Sequence, residues 1–510
     1  MLKRFMIVLA LVTLAIPPVS CSSAEPVKGK ADAVKGVEKA GRTGGDIADH
    51  PLKLKFKPLK FDPPKASDYR VKLPNGMILY IAEDRELPTF DMEVTVRTGS
   101  LYEPEEKTGL ASACGNLMKK GGTKSMTGEE IDDYMAQLAG RLESRIGFTS
   151  GTVSLSVLKE DIDNGLKVLA DVLMNPVFVE DEIRRYREKT LQGLRHRYDR
   201  ARSILGDTSG KLLYGGHPAG RVTKKSTINS ITRDDLLAFH KKYFYPNNCI
   251  VAVAGDFERG AMIKKIEKLF SGWKQGKVDF PEVPAVEIKF KKGVFLLEKE
   301  INQGYVRIGH VGIREDNPDV YTVRIMNAVL GGGGFMSRIP NRVRNDEGLA
   351  YSVGSWFDIP VEYTGMFLCS FQTKAKSVAF AVSIVMEEVN RIRTELVSEE
   401  ELKRAKDLYI ERFPSIFSGR GSSAYAKVKV LAGNEYNKRP LDYYEHYRDN
   451  YRKVTREKVL EVAKKYLNPD GLKVVVVGKI EEMKKGDGRH KDRLEDFGEV
   501  KQLKPPNLMK

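Results

Sequence analysis

One stretch of sequence occurs twice in this chain and decides the fold. The first copy reads Thr232-Arg233-Asp234-Asp235-Leu236-Leu237, Lys241-Lys242-Tyr243, Pro246 and Ile250-Val251-Ala252-Val253-Ala254-Gly255. The second reads Thr455-Arg456-Glu457-Lys458-Val459-Leu460, Lys464-Lys465-Tyr466, Pro469 and Val474-Val475-Val476-Val477-Gly478. The spacing is constant, since 223 residues separate Thr232 from Thr455 and Gly255 from Gly478. Each copy is typical of a helix, a turn containing proline and a buried strand that ends in glycine, so the pattern predicts an internal duplication.

The duplication predicts two homologous halves, which we place at residues 51–275 and 290–482. A linker that contains Lys, Pro and Gly joins them. Helical and strand patterns are mixed without strict alternation, which predicts an α+β fold for each half. The remaining residues, 483–510, are charged and contain proline, and this composition is typical of a C-terminal extension or of a disordered tail.

The N-terminus has the features of an export signal. A short basic segment precedes an apolar run that is too short to span a bilayer comfortably. The sequence Val19-Ser20-Cys21 is similar to a bacterial lipobox, in which the cysteine is lipidated, and ordinary cleavage after Ala24 is the alternative. We therefore assign residues 1–24 to the signal and residues 25–50, which lack a hydrophobic period, to a flexible tether.

These features predict a protein of the bacterial cell envelope. Lipidation of Cys21 predicts an outer-membrane lipoprotein that faces the periplasm, because serine follows the cysteine, and simple cleavage predicts a periplasmic protein. The body has the composition of a soluble globular protein, with 41% hydrophobic and 30% charged residues. The formal net charge is +16, but aromatic and basic residues are not interleaved in any nucleic-acid-binding signature. We therefore expect no nucleic-acid partner.

Several motifs, taken together with the duplication, resemble one family of enzymes. They are Gly99-Ser100-Leu101-Tyr102-Glu103-Pro104, Lys107-Thr108-Gly109-Leu110-Ala111, His217-Pro218-Ala219-Gly220-Arg221, Leu330-Gly331-Gly332-Gly333-Gly334-Phe335-Met336-Ser337-Arg338 and Gly348-Leu349-Ala350-Tyr351-Ser352-Val353. In this combination the chain resembles the pitrilysin/insulinase (inverzincin) zinc metallopeptidases over roughly residues 70–480. The resemblance implies a mitochondrial-processing-peptidase-like (LuxS-like) fold, in which two α+β halves form a clamshell around a peptide chamber.

The zinc motif of this family is degenerate in the chain. Active members carry His-x-x-Glu-His on a helix, where the two histidines share one face, the glutamate acts as general base and a downstream glutamate completes the ligands. Here Ser112 and Asn116 stand at the histidine positions, Gly115 at the base and Gly193 at the third ligand. We therefore predict no catalytic residue, no metal and no cofactor in this chain. Cys114 has no base beside it in the sequence, which favours a packed helix residue over a nucleophile.

Other residues of the family are retained in the second half. Arg344 and Tyr351 have the spacing of an Arg/Tyr pair that, in the family, reaches across the chamber to bind substrate near the scissile carbonyl. Both side chains donate hydrogen bonds, which suits a carbonyl or a developing oxyanion. The glycine loop lacks a nucleotide-binding pattern, and by resemblance we expect it to line the chamber and bind peptide through Gly331, Gly332, Gly333 and Gly334.

A strand with alternating apolar residues is predicted near the degenerate zinc motif. Val153, Leu155 and Val157 alternate with Ser154 and Ser156. In the family, the corresponding edge strand pairs with extended substrate.

Three functions are compatible with these observations. We favour a non-catalytic subunit that binds peptide and supplies Arg344 and Tyr351 to a zinc-bearing homologue, because the resemblance extends to the mitochondrial processing peptidase, in which one subunit is degenerate. Zinc is then expected in the partner. A stand-alone peptide-binding or scaffolding lipoprotein is the alternative, but a scaffold has little need for the retained pair. An active zinc metalloendopeptidase is disfavoured because no two of the seven histidines are close enough to share a helix face.

Overall fold

The computed structural model describes residues 61–287, 291–419 and 422–510. The predicted signal, the tether and Cys21 lie outside these residues, so export and lipidation stay predictions. No helix in the described part of the chain is long and apolar enough to cross a membrane.

Each half contains, within the described residues, one six-stranded mixed sheet. The strands of the first sheet are β1 (Arg70–Lys72), β2 (Ile78–Glu83), β3 (Thr89–Arg97), β4 (Arg141–Ile146), β5 (Ser150–Leu158) and β6 (Cys249–Gly255). Those of the second sheet are β7 (Gly293–Glu298), β8 (Gln303–Val311), β9 (Val353–Phe357), β10 (Met366–Lys374), β11 (Lys473–Gly478) and β12 (Val500–Leu503). Their orders are β1-β2-β6-β3-β5-β4 and β12-β7-β11-β8-β10-β9, so the last five positions of the two sheets correspond.

Helices connect the strands and pack on the sheets. The helices of the first half are α1 (Ala66–Tyr69), α2 (Leu110–Lys120), α3 (Gly128–Gln137), α4 (Ile162–Met174), α5 (Glu180–His196), α6 (Ala201–Tyr214), α7 (Lys225–Asn229), α8 (Arg233–Tyr243) and α9 (Arg259–Leu269). The helices of the second half are α10 (Val320–Asn327), α11 (Arg338–Pro340), α12 (Val378–Thr394), α13 (Glu399–Ile410), α14 (Ser423–Tyr436), α15 (Tyr443–Arg452), α16 (Arg456–Tyr466) and α17 (Ile480–Lys485).

The repeated stretch forms the same structure twice. Thr232 caps α8 by accepting a hydrogen bond from the backbone N–H of Asp235, and Thr455 caps α16 by accepting one from Lys458. The strands that follow, β6 and β11, run parallel to β2 and β7 and antiparallel to β3 and β8. The prediction of an α+β fold with two homologous halves is therefore confirmed. The residue boundaries of the halves stay predictions.

Each half lends one helix to the other. Helix α6 of the first half packs on β8 and β11, and α14 of the second half packs on β2 and β6. Alternate residues of a central strand consequently belong to different cores, as when Leu79 packs with the first half and Tyr80 with the second. Burial on both faces explains why β6 and β11 are almost continuously apolar. The exchange packs the halves directly against each other, and residues Phe61 to Lys510 form one unit.

A polar contact secures the exchanged helix α14. Glu435 accepts two hydrogen bonds from Arg70 (2.8 and 2.7 Å) and one from the hydroxyl of Tyr80 (2.5 Å). Arg97 donates to the backbone carbonyls of Glu435 and Tyr436 in the last turn of the helix, and the carbonyl of Glu435 also accepts from the backbone N–H of Lys438. Burial raises the pKa of Glu435, but the hydrogen bonds from Arg70 and Tyr80 and the charges of Arg70 and Arg97 together outweigh it, and the pKa lies below its ordinary value.

The C-terminal residues are ordered and link the two halves. Strand β12 pairs with β7, and Leu508 is buried in the core of the first half, where its carbonyl accepts a hydrogen bond from the backbone N–H of Lys225 (2.7 Å). These contacts fix the end of the chain in place, and the assignment of residues 483–510 to a C-terminal extension stays a prediction.

One expectation about the first sheet was wrong. The strand with Val153, Leu155 and Val157 is β5, which lies between β3 and β4, so β4 is the edge strand. The alternating pattern shows which face of a strand is buried and cannot show which strand lies at the edge.

Candidate functional site

The degenerate zinc positions lie on α2 and α5. Ser112 and Asn116 are one turn apart on the exposed side of α2, whereas Gly115 is buried. Helix α5 packs beside α2, and the hydroxyl of Tyr186 lies 3.5 Å from Oγ of Ser112. Gly193 follows Tyr186 by two turns on the same helix and is exposed. The structure thus places the four aligned positions on two neighbouring helices.

Gly115 leaves no room for a side chain. A Cβ atom at this position would lie 2.1 Å from the backbone nitrogen of Ile146 and 2.6 Å from the carbonyl carbon of Arg145. The helix is held on β4 by Ser144, whose hydroxyl donates a 2.7 Å hydrogen bond to the carbonyl of Gly115. The backbone of α2 therefore rests directly on the edge strand at the position where active relatives of the resembled family carry their base.

The donor set at these helices does not fit zinc. Ser112 and Asn116 offer a hydroxyl and an amide instead of imidazole, and Gly193 has no side chain. Elsewhere in residues 61–287, 291–419 and 422–510, no group of three His, Cys, Asp or Glu side chains is placed to hold a metal ion. Cys114 is fully buried, and burial raises the pKa of its thiol far above its ordinary value. That environment is unfavourable for a nucleophilic thiolate.

Glu103 holds the N-terminus of α2 in place. Its buried carboxylate accepts hydrogen bonds from the backbone N–H groups of Gly109 and Ala111, each 2.8 Å long. Arg221 donates to the carbonyl of Glu103 over 2.9 Å. The motifs around Glu103, Gly109 and Arg221 thus have a structural role in this chain. Burial raises the pKa of Glu103 to about 7, against the lowering effect of the two N–H groups and of Arg221.

The stability of the fold is expected to depend on the protonation of Glu103. Its folded pKa of about 7 lies above the ordinary value of 4.5, so the folded state binds more protons between these values. The free energy of unfolding should fall as the pH rises through this interval, by at most about 3 kcal/mol, and the contribution is complete below pH 4.5. Urea unfolding of Glu103→Gln should show a shallower fall than wild type. Glu105→Gln, at an exposed position, serves as the control. If the difference in the free energy of unfolding between wild type and E103Q stays constant over the interval, the prediction is contradicted.

The glycine loop is packed closely against β9. Helix α10 continues into a π-helical turn over residues 328–332, and a Cβ atom on Gly331 would lie 2.6 Å from Oγ of Ser355. Asn327 and Ser355 exchange hydrogen bonds of 3.1 and 2.7 Å, which tie the turn to the strand. Gly334 has a φ of 88°, a conformation that favours glycine.

A buried ion pair anchors the far end of this loop. Arg338 donates two hydrogen bonds, of 2.6 and 2.9 Å, to the carboxylate of Glu401 on α13. Burial by itself raises the pKa of Glu401, but Arg338 and the backbone N–H of Ser398 lower it to about 2. The carboxylate is therefore charged at neutral pH, and the loop is fixed at both ends.

Arg344 and Tyr351 come together beside this loop. The guanidinium carbon of Arg344 lies 3.8 Å from the ring centre of Phe335 and 5.1 Å from that of Tyr351. Tyr351 is 84% exposed, and Phe335 and Met336 are also largely exposed. The cation–π contacts orient the guanidinium without using its N–H donors. The sequence interpretation did not assign Phe335 and Met336 to the site. The signal that could have found them is the presence of two large apolar residues directly after a glycine run.

The two groups of residues occupy equivalent places in the two halves. Gly115 lies against β4, and the glycine loop that precedes the Arg344 cluster lies against β9; these strands are the corresponding edges of the two sheets. Whether Arg344, Tyr351 and the four glycines bind substrate stays a prediction.

Two family descriptions match this chain in succession. Residues 80–223 match the insulinase domain (peptidase family M16), and residues 230–409 match the peptidase M16 inactive domain. The chain belongs to the M16 peptidase family. Within this family it is 27% identical over 339 residues to an uncharacterized zinc protease of Rickettsia felis, covering 66% of this chain and 80% of the relative. It is also 24% identical over 401 residues to a Helicobacter pylori protein named a non-peptidase homolog, covering 78% and 90%.

A solved structure shares the fold of this M16 protein. It is a peptidase M16 inactive domain from Pseudomonas fluorescens, with a TM-score of 0.71, 24% sequence identity and coverage of 80% of this chain and 98% of that one. The similarity to a non-peptidase homolog agrees with the donor set on α2 and α5, and the match to the inactive domain covers the second half of the chain. The chain is a non-catalytic member of the M16 family.

Proposed function

We propose that this M16 protein is the non-catalytic subunit of a heteromeric zinc metallopeptidase. It binds peptide substrate and supplies Arg344 and Tyr351 to the active site of a homologous subunit, which holds the zinc. The asymmetry between the two edges carries this proposal. The first half has no space for a base at Gly115, whereas the second half presents Arg344 and Tyr351 as an oriented and exposed cluster.

The packing of the halves supports a chamber formed with a second chain. Because α6 and α14 hold the halves directly together, the clamshell implied by the fold is expected between this chain and its partner. Exposed apolar side chains at Phe335 and Met336 suit a surface that another chain covers. The resemblance to the mitochondrial processing peptidase, in which one subunit is degenerate, favours a zinc-bearing M16 homologue as the partner.

The N-terminal sequence supports a location in the bacterial cell envelope. Lipidation at Cys21 would anchor the subunit at the outer membrane, facing the periplasm, and the segment of residues 25–50 would serve as its tether. Without lipidation, the same signal leads to a periplasmic subunit.

Affinity isolation of the tagged chain from its native cells tests the partnership. We expect an M16 homologue with an intact His-x-x-Glu-His motif in near-equal amount, zinc in the complex and not in this chain alone, and peptide cleavage by the complex only. Stoichiometric zinc and cleavage in the isolated chain would show that it is an enzyme by itself. Isolation of bound peptides without a zinc homologue would favour the stand-alone peptide-binding or scaffolding lipoprotein.

A further inference from the structure

A cavity of about 360 Å³ lies on the outer face of the second sheet. Helix α6 covers β8 and β11 on this face, and the cavity lies between α6 and the edge strand β9. Arg202 and Leu205 of α6, Arg307 of β8 and Trp356 of β9 are among its lining residues. Its volume is within the range of ligand sites, which begins at roughly 300 Å³. Ser352 also lines the cavity, directly after Tyr351 in the sequence.

The cavity carries two cations and, among the residues described as lining it, no carboxylate. Nε of Arg307 is fully buried and has no hydrogen-bond partner in the described structure. Burial lowers the pKa of Arg307 from its ordinary value, and no carboxylate offsets that effect. Arg202 donates one long hydrogen bond, of 3.4 Å, to the side-chain oxygen of Gln372. The guanidinium of Arg307 is half-buried and has no counter-ion among the described residues, which is unfavourable, so an incoming anion would be stabilised.

The first half provides an internal comparison. Glu93 of β3 is paired with Ala252, and Arg307 of β8 is paired with Val475, 223 residues later, so Glu93 and Arg307 occupy equivalent positions. Glu93 forms a 2.8 Å ion pair with Lys429 of the exchanged helix α14. On the second sheet, the exchanged helix α6 brings Arg202, which is also a cation, towards Arg307 instead of a residue of opposite charge. The unneutralised charge therefore belongs to the half that carries Tyr351.

We infer that this cavity binds a carboxylate group of the peptide, and that the subunit therefore selects peptides that carry one. The inference rests on the proposed peptide-binding function, because the cavity adjoins Tyr351 through Ser352. Two guanidinium groups suit a carboxylate, with which arginine forms charge-assisted hydrogen bonds. The apolar walls at Leu205 and Trp356 suit the hydrocarbon part of an acidic side chain. The carboxylate comes from an acidic side chain or from the C-terminus of the peptide.

Fluorescence of Trp356 can report binding. The sequence contains two tryptophans, so Trp273→Phe leaves Trp356 as the reporter in the full chain. We would titrate short extended peptides that differ by Glu or Gln at one position, each with an amidated and a free C-terminus. A preference for Glu in amidated peptides assigns the site to a side chain, and a preference for the free C-terminus assigns it to the terminal carboxylate. We expect the preferred carboxylate to bind about tenfold to a hundredfold more tightly.

Variants of the two arginines test the cavity itself. Arg307→Gln should abolish the preference, and Arg202→Gln, which changes an exposed residue, should reduce it without affecting folding. Lys429→Gln removes a cation at the comparable place on the first sheet and should leave the preference unchanged. Equal affinity for all peptides, or a preference that survives R307Q, overturns the inference. If the inference is overturned in this way but binding of the peptides still requires Arg344, the proposed function stands. If no peptide of the set binds at all, the inference and the peptide-binding function fail together.

Discussion

Replacing Arg344 by Lys, or Tyr351 by Phe, is expected to lower kcat/KM of the reconstituted heteromer by about a hundredfold to a thousandfold. The reason is the loss of one hydrogen-bond donor to the scissile carbonyl as it becomes an oxyanion, which has an effect of this size in other hydrolases. Lysine keeps the charge of Arg344 but loses the planar fork that lies against Phe335 and Tyr351. Because the interaction strengthens in the transition state, kcat should fall together with kcat/KM.

A purely structural effect can be separated from this loss. Tyr351 is 84% exposed, so its replacement by Phe should change the free energy of unfolding by less than about 0.5 kcal/mol. Arg452→Lys, which alters an exposed arginine paired with Asp449 on α15, should leave cleavage unchanged. Full activity in both R344K and Y351F would exclude a role in trans. If dissociation of the zinc subunit accounts for the whole loss of activity, the pair of residues stabilises the interface and does not bind substrate.

Alanine at two helical glycines is expected to have opposite effects on stability. Nothing lies within 4 Å of a Cβ atom built on Gly193, so Gly193→Ala should raise the free energy of unfolding by about 1 kcal/mol through helix propensity. A Cβ atom on Gly115 would lie 2.1 Å from the backbone of β4, so Gly115→Ala should lower it by about 1–3 kcal/mol or more. Urea midpoints of the two variants measure the difference. Equal effects of the two substitutions would show that α2 can move away from β4 at little cost.

The close contact between Gly115 and β4 also affects any attempt to restore the zinc site by substitution. Ser112→His, Asn116→His and Gly193→Glu all alter exposed positions and should be tolerated by the fold. Adding Gly115→Glu places a side chain where Ile146 lies, and the fourfold variant should be less stable than the threefold one and inactive on peptides. A fourfold variant that is stable and cleaves peptide by itself would show that the loss of the motif is not enforced by packing.

The family and the loss of its chemistry were accessible from the sequence. The constant spacing of two copies of one stretch predicted the duplication, because a capped helix, a proline turn and a buried strand each leave a local pattern of residues. The degenerate positions at Ser112, Gly115, Asn116 and Gly193 followed from the same alignment of motifs. The Arg344–Tyr351 pair was predicted in the same way, and the structure brings these two side chains together.

The sequence by itself therefore determined the α+β class, the two homologous halves and the residue types that replace a zinc site. Only the tertiary structure decided that α6 and α14 are exchanged, that β4 and not β5 is the edge and that Glu103 is buried. It also decided that Arg307 has no counter-ion among the described residues. Each of these depends on contacts between distant segments, as when Arg70 meets Glu435 across 365 residues of chain. Local patterns record which face of an element is apolar, whereas the partner of that face is set by how all the elements pack together.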